Sequence, residues 1–466
     1  MRCGGQPIGD SQVTATTRII AVMRRDVRLV DRESRICENS AHLRHPGVDA
    51  LKYSIFSLIG HALSRERWPL AWRSPEPAKH YDVVVIGGGG HGLATAYYLA
   101  KVHGIRNVAV LEKGWLGGGN TGRNTTIVRS NYHFEPNAHF YEYSLKLWES
   151  LSQELDFNVM YSPRGVLNLV HTPGEMDAAM RRGNAMRLNG IDAKFLSRDE
   201  IASWIPNLDC SPSSRFPILG GLLQPRGGTV RHDAVAWGYA RAADALGVDI
   251  IQQCEVTGMR IEDGAVTGVR TTRGDIGAGK VGIAVAGYSS KVAEMAGIRL
   301  PIESHVLQAM VSEPIKPVLD TVVTSGAVHF YISQSDKGEL VMGGDLDFYN
   351  SYAQRGNLPV IEDVVRACLA LFPSFGRLRL MRTWGGIMDM TMDGSPIIGK
   401  LPVKNLYMTG GWCYGGFKAT PASGYVHAWT IARDEPHPLN AKFTLERFAE
   451  GRTIDEKGAG PYPWAH

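Results

Sequence analysis

The stretch that decides the fold is residues 81–112, YDVVVIGGGGHGLATAYYLAKVHGIRNVAVLE. Its apolar, β-branched run at 83–86 predicts a strand buried on both faces, and residues 93–101 predict a helix. A second apolar strand is predicted at 108–111 and ends beside Glu112. Strand, helix and strand in this order predict a βαβ unit around the glycine-rich turn.

The glycines of this turn, Gly87, Gly89 and Gly92, have the G-x-G-x-x-G spacing. The first permits a tight turn, the second lets the backbone approach a pyrophosphate, and the third permits close packing of helix on strand. The free N–H groups at the helix N-terminus favour phosphate, and an acid such as Glu112 accepts hydrogen bonds from ribose hydroxyls. Because Glu112 follows Gly92 by 20 residues, the stretch predicts a dinucleotide site rather than a glycine turn without a ligand.

Two further glycine-rich loops follow this unit. Residues 117–123, GGGNTGR, stand where an NAD-binding domain would continue into another βα unit. A second loop at this place favours FAD, whose larger body needs additional backbone contacts. Residues 406–424 return to a strand, a third glycine cluster and a helix from about Ala422. This pattern predicts that the late segment closes the nucleotide domain, with the helix N-terminus directed at the cofactor.

These patterns predict an α/β fold, with a Rossmann-like FAD-binding domain built from discontinuous segments and a second, β-rich substrate domain. The boundaries predicted for the FAD-binding domain are 81–135, 205–290 and 380–440. Those predicted for the substrate and interface domain are 136–204 and 291–379. The predicted ends are a disordered or non-native extension at 1–52, an arm or linker at 53–80 and a C-terminal tail at 441–466.

Two local predictions bear on the site. Residues 250–256 are expected to form one strand, followed by a turn and a strand at 265–271. Asp233 is expected to cap a helix over 234–246, so that His232 stands just ahead of the helix N-terminus.

Composition excludes several classes of partner. The net charge is only +4 and the arginines are scattered, so nucleic acid is not expected. Six cysteines without a C-x-x-C pair give no metal or disulfide framework and suit a reducing cytoplasm. No apolar run approaches the roughly 20 residues that a membrane span needs. We therefore expect a cytoplasmic protein that binds no metal and no membrane.

The chain contains the motifs GGGGHGLATAYYLAK, EKGWLGGGNTGRNTTI, RHDAVAWGYARAADALGVD, DGSPIIG and GGFKATPASG. These resemble the motifs of the FAD-dependent D-amino-acid oxidase family. From residue 53 to the C-terminus, the chain is similar to the β subunits of heterotetrameric sarcosine oxidases in that family. The resemblance implies the D-amino-acid oxidase fold, whose FAD domain is like that of glutathione reductase.

The resemblance also implies a reaction. Sarcosine would be oxidatively demethylated to glycine, with a hydride equivalent passing from its N-methyl carbon to noncovalent FAD. Electrons would pass to a covalent FMN and then to O2, giving H2O2, and the one-carbon unit would pass to tetrahydrofolate. The implied partners are α, γ and δ subunits, with NAD and tetrahydrofolate on the α subunit and FMN at the subunit interface.

The same resemblance implies site residues. Those expected to contact FAD are Gly87, Gly89, Gly90, His91, Gly92, Glu112, Asn120, Arg123, Thr125, Ile127, Val256, Gly415, Gly416 and Lys418. Arg129 and Lys418 match the pair that holds the substrate carboxylate in related monomeric enzymes, and two cations favour a reduced, anionic flavin. Taken alone, Arg129 is equally compatible with a surface role.

His232, beside Arg231, matches the histidine that carries FMN in the resembling proteins, and His171 is the competing candidate. The residues alone favour a structural histidine near a helix start for His232. Monomeric sarcosine oxidases attach FAD through a cysteine near 382–393, and no cysteine occurs in that stretch. FAD is therefore expected to be noncovalent.

Three alternatives remain open. An FAD dehydrogenase of another N-methyl or cyclic amino acid, such as dimethylglycine or proline, would use the same carboxylate clamp. A catalytically silent subunit that only carries cofactors would not need Arg129 and Lys418 beside a complete nucleotide fingerprint. A plain NAD-dependent dehydrogenase would not need the second and third glycine loops.

Overall fold

The computed structural model describes residues 59–60, 62–63, 70–347 and 349–456. The extension predicted at 1–52, part of the arm predicted at 53–80 and the last ten residues of the predicted tail lie outside these ranges. The chain divides into two compact units, Met1–Leu70 and Ala71–His466. Residues 59–60 and 62–63 of the first unit are helical, and every element named below belongs to the second.

The described residues of the second unit contain eighteen strands and eight α-helices. The strands are β1 (His80–Ile86), β2 (Val108–Leu111), β3 (Ile127–Val128), β4 (Val166–Val170), β5 (Lys194–Ser197), β6 (Gly220–Gln224), β7 (Gly228–Thr229), β8 (Asp249–Ile251), β9 (Val256–Glu262), β10 (Ala265–Thr271), β11 (Gly274–Ile283), β12 (Ile302–Pro314), β13 (Val322–Ser325), β14 (Phe330–Gln334), β15 (Glu339–Leu346), β16 (Leu380–Thr391), β17 (Ile397–Lys400) and β18 (Leu406–Gly410). The helices are α1 (Gly90–His103), α2 (Glu135–Glu154), α3 (Pro173–Leu188), α4 (Arg198–Trp204), α5 (His232–Ala245), α6 (Ser289–Glu294), α7 (Leu358–Leu371) and α8 (Thr420–Arg433).

The first sheet has a parallel centre built from distant parts of the chain. Strands β17, β18, β11, β1, β2 and β8 follow one another across it, and β9 and β10 continue from β11 as an antiparallel meander. β1 pairs in parallel with β2 and with β11, and β11 pairs in parallel with β18. This arrangement confirms the predicted α/β fold with a discontinuous nucleotide domain.

The second sheet is predominantly antiparallel, and its strands follow the order β16, β12, β15, β14, β13, β4, β6 and β5. The long strands β12 and β16 pair along almost their whole length. A separate two-stranded ribbon pairs β3 with β7 and so brings the end of the second glycine loop beside the chain that leads into α5.

Several apolar cores support these sheets. The core beside the first sheet joins Val83 of β1, Leu93 of α1, Tyr239 of α5 and Ile431 of α8, all at most 1% exposed. Trp148 of α2 belongs to the same core. The second sheet has its own core, which α7 closes. A further core contains the alternate residues of β1 and packs on the opposite face of the first sheet, so the strands that carry the glycine turns are held from both sides.

Several boundaries differ from those predicted. β6 and β16 fall in segments predicted for the FAD-binding domain but pair in the second sheet, whereas α2 packs in the core of the first. Residues 250–256 do not form one strand, because Gln253 has φ 53° and the chain turns between β8 and β9. Asp233 is not the N-cap of α5, since Arg231 takes that place and Asp233 Oδ1 accepts from Arg231 Nε at 2.8 Å.

Candidate functional site

A cavity of about 810 Å³ lies where the parallel strands of the first sheet end. Ile86, Leu111 and Thr409 line it at the carboxyl ends of β1, β2 and β18, and Thr324 and Tyr331 line it from the second sheet. Ligands of open α/β sheets bind at this edge, and cofactor pockets commonly have volumes of roughly 300–1,000 Å³. The cavity is therefore the candidate nucleotide and substrate site.

Two structural absences hold for the part of the chain that is described. None of its helices combines the length and apolar character needed to cross a membrane. Its His, Cys, Asp and Glu side chains do not gather into a group of three or more that could hold a metal ion.

The turn between β1 and α1 forms a backbone cradle. Gly87 has φ 111°, and a Cβ at this position would lie 2.3 Å from the carbonyl oxygen of Ala284. A Cβ on Gly92 would lie 1.9 Å from the carbonyl oxygen of Gly87, so close helix–strand packing requires glycine at both positions. The predicted residues of this turn that line the cavity are Gly87, Gly89, Gly90 and His91. Gly92 packs behind them.

Glu112 joins the first two glycine loops. Its Oε2 accepts a hydrogen bond from Gly88 N–H at 2.9 Å, and its Oε1 accepts one from Gly114 N–H at 2.8 Å. An ionised carboxylate has about four acceptor positions, so each oxygen can accept a further bond from a ribose hydroxyl. Glu112 therefore stabilises the cradle through these two hydrogen bonds, in addition to the ribose contact predicted for it.

The second glycine loop is held by the second sheet. The predicted residues of this loop that line the cavity are Asn120, Arg123, Thr125 and Ile127. Asn120 Oδ1 accepts a hydrogen bond from Ile387 N–H of β16 at 2.9 Å. Arg123 turns back on its own loop, where its Nη1 donates to Gly119 O at 3.0 Å, and its carbonyl accepts from Trp384 Nε1 at 2.8 Å. Its guanidinium is thus engaged with the loop backbone.

Two titratable groups, the buried Asp389 and the half-buried His91, fix the third glycine cluster. Asp389 Oδ2 accepts from Gly411 N–H at 2.6 Å, and burial raises the pKa of this carboxyl to about 7. Because a carbonyl only accepts, His91 Nε2 donates to Gly416 O at 2.9 Å, and its Nδ1 then accepts from Ser423 Oγ at 2.7 Å. Burial lowers the pKa of His91 to about 4, which keeps the ring neutral. Sequence reasoning missed Asp389, although an acid inside the apolar strand β16 was a usable signal.

Two cations at the cavity have no carboxylate partner among the described residues. Lys418 is only 7% exposed, and its Nζ donates to Tyr414 O at 2.5 Å. Arg129 contacts the Asn131 side-chain oxygen, and its Cζ lies 5.0 Å from the Tyr132 ring centroid. Burial, and secondarily the charge of Arg129, lower the pKa of Lys418 well below its usual value. Burying the unpaired ammonium of Lys418 beside the half-buried Arg129 is unfavourable, so this end of the cavity is suited to an anion.

Two of the remaining predicted residues differ in their relation to the cavity. Val256 lines the cavity at the start of β9. Gly415 does not line it, because the phenol oxygen of Tyr141 lies 1.9 Å from the position that a Cβ on Gly415 would take. A side-chain oxygen that fills the Cβ space of a glycine cannot be read from sequence spacing.

Arg231 and His232 lie outside the cavity lining, at the start of α5. Nδ1 of His232 is buried and has no hydrogen-bond partner among the described residues, and burial lowers the pKa of the ring. His171 differs, because its Nδ1 lies 3.2 Å from two backbone carbonyl oxygens and its Nε2 lies 2.8 Å from Ser325 Oγ.

Comparison with known proteins assigns the class. Residues 82–429 match the family described as DAO, FAD dependent oxidoreductase. The chain belongs to this family, and it is an FAD-dependent oxidoreductase. The glycine cradle, the acid after β2 and the additional glycine loops fit that cofactor, because they present backbone N–H groups and carboxylate oxygens where a dinucleotide needs them.

The relatives narrow the class further. The chain is 62% identical to the sarcosine oxidase subunit beta of Rhizobium meliloti (strain 1021) over 417 residues, which are 89% of this chain and 100% of that protein. It is 57% identical to the sarcosine oxidase subunit beta of Arthrobacter sp over 388 residues, which are 83% of this chain and 96% of that protein. Within the family, the chain therefore groups with the sarcosine oxidase β subunits.

A solved structure supports the fold. The crystal structure of L-proline dehydrogenase from P. horikoshii has a TM-score of 0.76 and 28% sequence identity to the chain. The similarity covers 80% of this chain and 99% of that one.

Proposed function

We propose that the chain is the β subunit of a heterotetrameric sarcosine oxidase and that it oxidatively demethylates sarcosine to glycine. The observation that carries the proposal is the pair of unpaired cations, Arg129 and Lys418, in a cavity whose other walls fit FAD. The identity of 62% to a relative of that name supports the choice of substrate. When bound, FAD supplies an acceptor for the hydride that leaves the N-methyl carbon.

The residues of the chain bind and orient the substrate. Lys418 and Arg129 would each donate to the carboxylate of sarcosine, and hydrogen bonds to charged groups contribute about 1.5–3 kcal/mol each. The carboxylate would stabilise the ammonium form of Lys418, which burial disfavours. The neutral ring of His91 and the carboxyl of Asp389 hold the glycine cluster that precedes Lys418, and so fix its position.

The proposal includes two flavins. FAD would be bound noncovalently in the cavity, and FMN would be attached covalently to His232. The partner-free Nδ1 of His232 supports this site over His171, whose two ring nitrogens are both engaged. The first turn of α5 offers N–H groups to a phosphate, and Arg231 stands beside it as the N-cap. Electrons would pass from FAD to FMN and then to O2, giving H2O2.

The proposed partners are α, γ and δ subunits, with NAD and tetrahydrofolate on the α subunit. The relatives are described as one subunit of a larger enzyme, which supports an assembly. Two exposed tryptophans, Trp115 (69%) and Trp237 (44%), lie near the start of α5. The segments that carry them pack together, because a Cβ on Gly117 would lie 3.3 Å from Ala236. Tryptophan is enriched at protein interfaces, and FMN at this place would be shared with a partner.

A second candidate is a single-flavin FAD dehydrogenase of another N-methyl or cyclic amino acid, such as dimethylglycine or proline. The similarity in fold to an L-proline dehydrogenase favours it. The carboxylate clamp serves both candidates, so the distinction lies in the flavin content and in the amine that is oxidised.

A flavin inventory tests the proposal. The chain is purified with its partner subunits and precipitated with acid, and flavin in the supernatant is separated from flavin that stays on the protein. Mass spectrometry then identifies any modified peptide, and sarcosine, dimethylglycine and proline are compared as substrates. The matched control is His171→Asn, which should leave any covalent flavin in place.

Free FAD together with an FMN-modified peptide that contains His232, and turnover of sarcosine, is the expected result. Free FAD alone with turnover of proline or dimethylglycine would replace the proposal with the single-flavin dehydrogenase. A modified peptide that contains His171 would keep two flavins but overturn the attachment site.

A further inference from the structure

Two tyrosines form a parallel stack behind the cationic end of the cavity. The rings of Tyr132 and Tyr141 have centroids 3.8 Å apart and planes inclined by 11°. They are 7% and 2% exposed, and neither lines the cavity. Tyr132 follows β3, and Tyr141 belongs to α2, whose Trp148 is buried in the core of the first sheet. The stack is therefore anchored to the rigid part of the molecule.

One side of the stack contacts Arg129. The guanidinium carbon lies 5.0 Å from the centroid of the Tyr132 ring, within the range of a cation–π contact. The other side-chain contact of Arg129 is to Asn131, which is also neutral. Neutral partners orient the guanidinium without cancelling its charge, so it stays available to an anion.

The hydroxyl end of the stack contacts the loop that precedes Lys418. The phenol oxygens of Tyr141 and Tyr132 lie 1.9 Å and 3.2 Å from the position that a Cβ on Gly415 would take. The carbonyl of the preceding residue, Tyr414, accepts from Lys418 Nζ at 2.5 Å. The loop thus packs mainly on the Tyr141 hydroxyl, which the stacked Tyr132 ring holds in place, and the loop in turn positions the ammonium group.

We infer that the Tyr132–Tyr141 stack is a spacer that sets the separation between the Arg129 guanidinium and the Lys418 ammonium. Both tyrosines are therefore positioning residues for the carboxylate of the substrate. The inference rests on the proposed function, because it concerns the same carboxylate clamp.

The physical reason for a spacer is the repulsion between the two cations. The charge of Arg129 disfavours the ammonium form of Lys418, so like charges would move apart if nothing held them. Stacked aromatic rings are large, stiff and have few rotamers, so they fix a distance at a low entropic cost. Two cations held at a fixed separation select a planar carboxylate over a neutral group.

The test compares ring removal with removal of the hydroxyl alone. Tyr132→Met takes away the ring while filling its volume with an adaptable side chain, and Tyr132→Phe keeps the ring. Tyr143→Leu is the matched control, since this residue lies on α2 and its ring faces Tyr425 rather than Arg129. Each variant is purified as the full chain with its partner subunits. Calorimetric titration with acetate measures carboxylate affinity, and steady-state kinetics measure KM and kcat for sarcosine.

Tyr132→Met is expected to weaken acetate binding and to raise the KM for sarcosine about tenfold, which corresponds to about 1.4 kcal/mol. The value of kcat should change less, because the cations act on binding. Tyr132→Phe and Tyr143→Leu should keep wild-type values for acetate. This split between KM and kcat, with rescue by phenylalanine, would not result from a general loss of packing.

Wild-type acetate affinity and KM in Tyr132→Met would overturn the inference. If Tyr132→Met loses FAD, Tyr141→Met tests the other ring, and loss of FAD in both would assign the stack to folding instead. Failure of the proposed function looks different, because the wild-type protein would then not turn over sarcosine, whatever its affinity for acetate.

Discussion

The substitution Lys418→Met removes a buried cation and leaves a side chain of similar length. Lys418 is 7% exposed, and its Nζ donates to a backbone carbonyl and has no carboxylate partner among the described residues. If it donates to the substrate carboxylate, its loss removes a charged hydrogen bond of about 1.5–3 kcal/mol. Acetate affinity and kcat/KM for sarcosine should then fall about 10- to 150-fold.

The same change should stabilise the fold, with a defined dependence on pH. Burial places the folded-state pKa of Lys418 below its unfolded value of about 10.4, so the unfolded chain binds more protons between the two pKa values. The free energy of unfolding of the wild type therefore rises with pH in that window. The gain in free energy of unfolding from Lys418→Met should be largest below the pKa of Lys418 in the folded state. It should vanish as the pH approaches the pKa in the unfolded chain.

The assay combines acetate titration by calorimetry with urea unfolding at several pH values. Lys146→Met is the matched control, because Lys146 is exposed on α2 and its loss should change neither property. Wild-type acetate affinity in Lys418→Met would refute the carboxylate clamp. Strong destabilisation of Lys418→Met at neutral pH would refute the reasoning about an unpaired buried cation.

Three further predictions concern the cofactors and the fold. Gly92→Ala would place a Cβ 1.9 Å from a carbonyl oxygen of the cradle, and we expect the purified chain to contain little FAD by absorbance. Asp393→Asn would leave Arg447, which is 2% exposed, without its charge partner at 2.8 Å, and should lower the free energy of unfolding in urea by about 3–5 kcal/mol. Asp363→Asn is the control, because Asp363 forms an exposed ion pair with Arg366. It should lower the free energy of unfolding by at most about 1 kcal/mol. His232→Asn should abolish acid-stable flavin while acid-released FAD remains at the wild-type ratio.

Much of the fold was predictable because its signals are local. The strands β2 and β10 match the predicted bounds, since each is a short, mostly apolar or β-branched run between turn residues. The failure at Gln253 has a physical reason. Its φ of 53° breaks the stretch into β8 and β9, and glutamine is not a residue whose presence predicts such a turn.

The site was predictable where backbone geometry demands a residue type. Gly87 and Gly92 are constrained by carbonyl oxygens within 2.3 Å of their missing side chains, and spacing reveals such demands. Asp389 and the Tyr132–Tyr141 stack escaped prediction, because their roles depend on contacts between segments far apart in the chain. The same holds for the ring of His91, which contacts Gly416 rather than simply facing the phosphate cradle.

The parallel pairing of β1 with β11, and of β11 with β18, has a consequence for biosynthesis. The cradle-bearing strand leaves the ribosome early, but its neighbour β11 and then β18 (Leu406–Gly410) emerge much later. Until then β1 can pair with β2 along one edge only, its other edge has no partner strand, and non-local pairings of this kind form slowly. FAD therefore finds a finished site only after β18 has been translated, and the open edge of β1 is prone to aggregation until then.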